Sequence, residues 1–212
     1  MKDLPQRKPN RLRGYDYSQN GAYFVTLCIK NRANILGHII VRDGLAHPDA
    51  HPDAHPTAVV QLSEYGRIAK TELQNIPTHY NGQVMIDRFV VMPNHIHAII
   101  MITVDGTERG ITANVAERGT TGRASPSPTT GRASPSPTLG NIVGGYKAGV
   151  SRRCGFSVWQ RSYHDHIIRD EADYLRIAAY IENNPAKWVE DRFYVGDGLA
   201  HPDAVKEIEA DE

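Results

Sequence analysis

The sequence predicts an α+β fold: a central sheet with amphipathic helices packed on it. Three observations lead there. Runs rich in β-branched and aromatic residues recur, chief among them Ala22–Ile29, Gln83–Val91 and His95–Val104. Between them lie stretches whose apolar residues follow the helical period instead, such as Tyr65, Ile68, Ala69, Leu73 and Ile76. The chain has 212 residues, enough for one domain with a real core plus tails.

Taken in order, residues 1–20 are polar and basic, with Pro5 and Pro9, and read as an arm. Ala22–Ile29 is the first strand and Ile35–Val41 the second, and Ala58–Leu62 reads as the finish of a strand. Ser63 is a good N-cap for the helix that follows, and Pro77 stops that helix. Gln83–Val91 and His95–Val104 are strands joined through Pro93–Asn94, where a proline that cannot donate to the ladder marks a bulge, turn or edge. Leu139–Arg153 reads as a helix, although Gly140, Gly144, Gly145 and Gly149 each weaken it by about 1 kcal/mol relative to Ala. Val158–Ile168 reads as a bent strand or strand pair. Asp170 then caps a last helix with Asp173 three residues on, and Tyr174, Ile177, Ala178 and Ile181 form its buried stripe. The element order is β-β-α-β-β-α-β-α.

Two stretches break this pattern. Residues 43–57 repeat Ala-His-Pro, and residues 105–138 contain Thr-Gly-Arg-Ala-Ser-Pro-Ser-Pro-Thr twice in tandem. Each repeat histidine precedes a proline, which disfavours regular structure and argues against a metal site there. Both stretches are expected to be flexible insertions into a single domain with core segments 11–42, 58–104 and 139–190. Residues 194–212 form a tail that repeats Gly-Asp-Gly-Leu-Ala-His-Pro-Asp-Ala at 196–204.

Lys and Arg together number 24, balanced by 24 Asp and Glu, so net charge does not advertise a nucleic-acid binder. Charge is locally uneven, however. Lys2, Arg7, Lys8, Arg11 and Arg13 face one Asp3, and Lys147, Arg152, Arg153, Arg161 and Arg169 face one Asp165. A binding patch needs local charge rather than net charge. Cys28 and Cys154 have no partner at metal-binding spacing, which fits a reduced cytoplasmic protein. No apolar run approaches a membrane span, and the basic N-terminus lacks the apolar stretch of a signal peptide.

Chemistry concentrates in Val91-Met92-Pro93-Asn94-His95-Ile96-His97. Side chains alternate along a strand, so His95 and His97 leave it on one face, where two imidazoles can grip a divalent metal. The alternative is a hydrogen-bonded pair of core histidines. On the last helix, Tyr180 lies about a quarter turn off the buried stripe. Asn184 follows four residues later on the same flank, provided Pro185 lets the helix last that long. By itself Tyr180 is an interface residue.

Together these pieces resemble the HUH (His-hydrophobic-His) single-tyrosine transposases of the insertion-sequence kind. The His95-Ile96-His97 strand looks like the HUH motif, and Tyr180-Ile181-Glu182-Asn183-Asn184-Pro185 is similar to the catalytic helix of the REP-associated tyrosine transposase (RAYT) branch. Gly14-Tyr15-Asp16-Tyr17-Ser18, Gly21–Thr26 and Trp159–Arg169 resemble other family segments, in the family's order. The resemblance implies a ferredoxin-like domain with the HUH motif on a central strand of an antiparallel sheet. It implies His95 and His97 as ligands of Mg²⁺ or Mn²⁺, Asn184 as the third ligand, and Tyr180 as a nucleophile that forms a 5′-phosphotyrosine. It also implies single-stranded DNA carrying REP-like hairpins as the partner of a nucleoid-associated monomer or homodimer. Candidate DNA contacts are Arg11, Arg13, Lys147, Arg152, Arg153, Arg161, His164, His166 and Arg169. Trp159, Tyr163 and Tyr23 could stack on bases, with core packing as the alternative.

Two rival functions remain open at the level of sequence. One is a hairpin-binding protein without catalysis. The other is a metal-dependent hydrolase, which needs an acidic ligand that no spacing reveals.

Overall fold

The computed structural model describes residue 12 and residues 14–42, 57–103 and 137–196. The two repeat stretches, the basic arm with Arg11 and Arg13, and the tail from 197 on lie outside the described residues. The flanks of the inserts are ordered: Thr57 opens a strand, and Thr138 accepts a hydrogen bond from Asn141 N as the N-cap of a helix.

Among the described residues six strands and three α-helices follow one another: β1 (Gly21–Cys28), β2 (Gly37–Arg42), β3 (Thr57–Leu62), α1 (Glu64–Asn75), β4 (Val84–Val91), β5 (His95–Ile102), α2 (Leu139–Cys154), β6 (His164–Ile168) and α3 (Glu171–Asn183). The order differs from the expected one by a strand: three strands, not two, precede α1, because Thr57–Leu62 pairs with β2 as a strand of its own. The bent strand at 158–168 is shorter than its sequence suggests: only His164–Ile168 pairs as a strand, and Trp159 makes an isolated bridge to Ile29.

β1, β4, β5 and β6 form one sheet in the order β4-β5-β1-β6, every neighbouring pair antiparallel. With α1 between β1 and β4 and α2 between β5 and β6, this is the β-α-β-β-α-β ferredoxin-like arrangement. β2 and β3 make a separate ribbon inserted before α1. β5 sits inside the sheet, between β4 and β1, so all eight of its residues are buried.

Each strand serves two faces. Tyr23, Val25 and Leu27 of β1, with Ile96, Ala98, Ile100 and Ile102 of β5, face a large apolar cluster. That cluster includes Ala69 and Leu73 of α1 and Ile142, Val143, Tyr146 and Val150 of α2. Ala22 of β1 and Ile99 and Met101 of β5 face the other way, onto Ile177 and Ile181 of α3. Ser63 fixes the entry to α1: its Oγ accepts from Gly66 N and donates to Ile35 O. Gly66 is obligatory, because a Cβ there would stand 2.0 Å from Leu36 O. α2 ends at Gly155, whose φ of 85° suits a residue without a side chain.

The turn at Met92–Asn94 joins β4 to β5 without a bulge; Met92 N donates to His95 O. The irregularity lies instead within β4, between Ile86 and Phe89. A bulge turns side chains away from the regular alternation. Here Asp87 accepts a hydrogen bond from Tyr174 Oη at 2.7 Å, and Arg88 pairs with Glu182. Both partners are on α3, so the bulge fastens that helix to the sheet.

Candidate active site

His95 and His97 leave β5 on the α3 face, side by side, with their Nε2 atoms 3.0 Å apart. Both are at most 1% exposed. Phe24 stacks on the His97 ring, and Phe193 and Trp188 lie against the His95 ring. Burial holds the His95 imidazolium down to about 4, with Asp191 opposing and Arg192 adding to the effect. His97 is likewise held well below the usual imidazole range by burial, with His95 and Arg192 contributing. Both rings are therefore neutral near pH 7, the form that offers a lone pair to a metal.

Asn94 settles which nitrogen of His95 does so. Its Nδ2 donates to Phe193 O at 2.9 Å and to Arg32 O at 3.2 Å, which turns its Oδ1 toward His95 Nδ1, 2.9 Å away. An amide oxygen only accepts, so His95 Nδ1 carries the proton and Nε2 presents the lone pair. His97 Nδ1 has Thr26 Oγ1 at 2.9 Å, a hydroxyl able to take either role. With His97 Nδ1 protonated, both Nε2 lone pairs point into one space. Such outer hydrogen bonds orient histidine ligands.

α3 brings the tyrosine. Its stripe of Ile177, Ala178 and Ile181 is buried on the sheet, and Tyr180 flanks it at 40% exposure. Tyr180 Oη stands 3.2 Å from His97 Nε2 and donates to Asp191 Oδ2 at 3.1 Å. Burial, then the negative charge and hydrogen bond of Asp191, push the phenol up to about 12. It is protonated at neutral pH, a poor nucleophile until a positive charge joins it.

Pro185 does not expel Asn184. Asn184 stays helical at φ −58° and ψ −42°, against the usual bias before proline. It is 2% exposed and donates from Nδ2 to Asp191 Oδ2 at 3.1 Å, while its Oδ1 is buried without a hydrogen-bond partner. An orphaned amide oxygen costs about 1–3 kcal/mol, and a cation is the kind of partner it lacks.

Asp191 completes the cluster and was missed by sequence reasoning, which ended the core at residue 190 and found no carboxylate at a telling spacing. His95, His97 and Asp191 offer ligand atoms within 4.8 Å of one another and could hold a metal ion. The segment is pinned by Phe193: its N donates to Asp191 Oδ1 at 2.7 Å, and its ring packs against both histidines. Trp188 and Phe193, aromatic and closely spaced after the helix, were the available hint of a buried segment. Thr26 was also missed, because its role depends on the register that sets it opposite His97.

The candidate DNA contacts are dispersed. Lys147 donates to Gln160 O and Ser162 O, and Arg153 pairs with Glu72; both belong to α2, behind the sheet. Arg152, Arg161 and Arg169 are exposed, and His164, also exposed, stands opposite Thr26 in the β1–β6 register. His166 lines a cavity with Tyr180, and its Nε2 is bound to Asp173 Oδ2 at 2.7 Å. Tyr23 and Trp159 are buried in the large cluster and Tyr163 packs against it, so packing accounts for all three.

No family model matches the sequence. An uncharacterized protein of Haemophilus influenzae is 38% identical over 197 residues, 91% of this chain and 95% of that protein. The chain belongs to that protein's family. Among solved structures, a REP-associated tyrosine transposase bound to a REP hairpin is similar at 17% identity and a TM-score of 0.48, covering 93% of this chain and 87% of that one. A candidate transposase of Deinococcus radiodurans is similar at 18% identity and a TM-score of 0.37, covering 82% of this chain and 95% of that one. The chemistry of the site rests on its own residues. No helix among the described residues is long and apolar enough to cross a membrane.

Proposed function

We propose that this protein is a metal-dependent tyrosine transposase that cuts and rejoins single-stranded DNA, as its motifs suggest. The observation that carries this reading is the Tyr180 hydroxyl, 3.2 Å from one of two buried, neutral imidazoles. A tyrosine placed to ionise beside a candidate metal cluster needs a nucleophile's explanation.

The donor set fits a divalent cation. His95 and His97 would hold it through Nε2, with Asp191 and the orphaned Asn184 Oδ1 as oxygen donors. This mixed set suits Mg²⁺ or Mn²⁺ and leaves positions open for phosphate and water. When bound, the ion supplies positive charge that favours the phenolate and offsets charge on the phosphate oxygens. The chain's own groups do the rest. Tyr180 Oη attacks phosphorus, the bond to O3′ breaks, and the strand is left as a 5′-phosphotyrosine and a 3′-OH. A 3′-OH attacking that linkage restores a phosphodiester and frees Tyr180, so one bond is exchanged for another without a nucleotide cofactor. Asp191, whose Oδ2 accepts the Tyr180 hydrogen bond, is placed to take its proton and to return one to the departing O3′, since His97 Nε2 is committed as a ligand.

REP-like hairpins as substrate and a nucleoid location follow from the motif resemblance alone. The test is direct: incubate the full chain with single-stranded hairpin DNA and Mn²⁺ and look for a DNA adduct on Tyr180. Absence of any adduct under cutting conditions would sink the reading. A second reading gains one observation, since Asp191 is the carboxylate a metal-dependent hydrolase requires. Strand cleavage that persists in Tyr180→Phe would favour it.

A further inference from the structure

Two cavities meet at Tyr180, and their charges differ. One, of about 430 Å³, is lined by Asn184, Lys187, Glu190 and Asp191 and so contains two carboxylates. The other, of about 330 Å³, opens toward β6 and is lined by Phe24, Thr26, His97, His166 and Arg192, with no carboxylate on its wall. Tyr180 and Arg176 border both. An anion entering beside Tyr180 meets mixed charge in the first cavity, where Lys187 and Arg176 offset the two carboxylates, and no carboxylate in the second.

The cations of the second cavity are not equivalent. Arg176 and His166 are both engaged by Asp173, one at each carboxylate oxygen. Arg192 forms no ion pair among the described residues. Its guanidinium lies 4.6 Å from the Phe193 ring centroid, and the neighbouring backbone is held by the Asp191–Phe193 and Asn94–Phe193 hydrogen bonds. Stacking on a buried ring leaves the in-plane N–H donors free while limiting where the group can swing. Its charge bears on both imidazoles and on the Tyr180 phenol.

We infer that the cavity on the β6 side of Tyr180 is the seat of the scissile phosphate, and that Arg192 is the catalytic residue that grips its non-bridging oxygens. This rests on the tyrosine-transfer reading and adds to it a residue and a side of approach. The guanidinium fork matches two phosphate oxygens, and charge on those oxygens is what must be stabilised as Tyr180 attacks and O3′ departs. No proton or electron passes through Arg192.

The experiment uses the full chain with Mn²⁺ and single-stranded hairpin DNA. The substrate carries either an ordinary phosphate or an uncharged methylphosphonate at the cut position. Arg192→Ala is expected to slow single-turnover cutting by about 100-fold or more while its Kd for uncut DNA changes by less than about 3-fold. Arg192→Lys should recover part of the rate. The methylphosphonate should slow the wild-type protein strongly and Arg192→Ala little further. Arg67→Ala, on α1 behind the sheet, controls for loss of one charge, and thermal melting verifies folding of each variant. Cutting by Arg192→Ala at the wild-type rate, or equal slowing of both proteins by the methylphosphonate, overturns the assignment. If the wild-type protein forms no adduct at all, the underlying reading has failed instead, so the two failures are distinct.

Discussion

The two faces of the sheet are built from the same strands and do opposite things. Along β5, Ile96, Ala98, Ile100 and Ile102 enter the large apolar cluster under α1 and α2, while His95, His97, Ile99 and Met101 face α3. β1 divides likewise, Tyr23, Val25 and Leu27 against Ala22, Phe24 and Thr26. One face is closed mainly by apolar contact, with Tyr146 Oη donating to Ala69 O within it. The other gives only a small apolar cluster to holding α3 and spends the rest on polar groups, two neutral histidines and an orphaned amide oxygen among them. Stability and chemistry are thus separated by residue parity. A change at an even position of β5 should cost folding, and a change at His95 or His97 should cost function.

The largest expected effect lies on the site face. Tyr180→Phe should reduce covalent DNA adducts by at least about 1,000-fold while leaving hairpin binding and melting temperature nearly unchanged, measured by gel shift of the adduct and by calorimetry. Next, His97→Ala should abolish Mn²⁺-dependent cutting and weaken Mn²⁺ binding by about 100-fold or more, read by titration calorimetry; unchanged metal affinity would remove His97 from the ligand set. On the opposite face, Ile100→Ala should cost about 2–5 kcal/mol of stability, with the surviving folded protein still forming the Tyr180 adduct. A loss of adduct at full folding would break the parity argument.

The histidines also predict a pH dependence of stability without added metal. Their folded pKa values lie below the unfolded value, His95 at about 4. Between that value and about 6.5 the unfolded chain binds more protons, so stability falls as pH falls through this window. Each histidine contributes up to about 1.4 kcal/mol per pH unit there. His97→Gln should flatten the slope of denaturation free energy between pH 6.5 and 5, and an unaltered slope would show that His97 is not buried neutral. The smallest effect belongs to the exposed pair of Arg88 and Glu182: Arg88→Ala should change stability by less than about 1 kcal/mol.

Much of this organisation was legible in the chain. Ser63 and Asp170 cap the helices that their residue types predict, and the stripe of Ile177, Ala178 and Ile181 is the buried side of α3. Pro93 marks a turn, one of the three roles its missing donor allows. A proline in a tight turn satisfies the same missing donor, and the bulge went to Asp87–Arg88, where α3 supplies partners for both side chains. The basic residues were legible only as charge, which says nothing of which face a side chain occupies; Lys147 and Arg153 are engaged behind the sheet.

What the sequence alone determined is what the backbone's local period dictates. His95 and His97 share a face because strand side chains alternate, and Tyr180 leaves the buried stripe because a helix turns 100° per residue. What only the tertiary structure decided is which groups meet there. Thr26 reaches His97 across 71 residues and Tyr180 reaches it across 83, and no local period relates such positions. Asn184 keeps its helical turn against Pro185, in a buried setting where its side chain bonds Asp191. Asp191 enters the site because Phe193, buried against the two histidines, draws the chain back over them. Apolar burial beyond the end of the last helix, with no repeat to announce it, supplies the carboxylate that the sequence did not reveal.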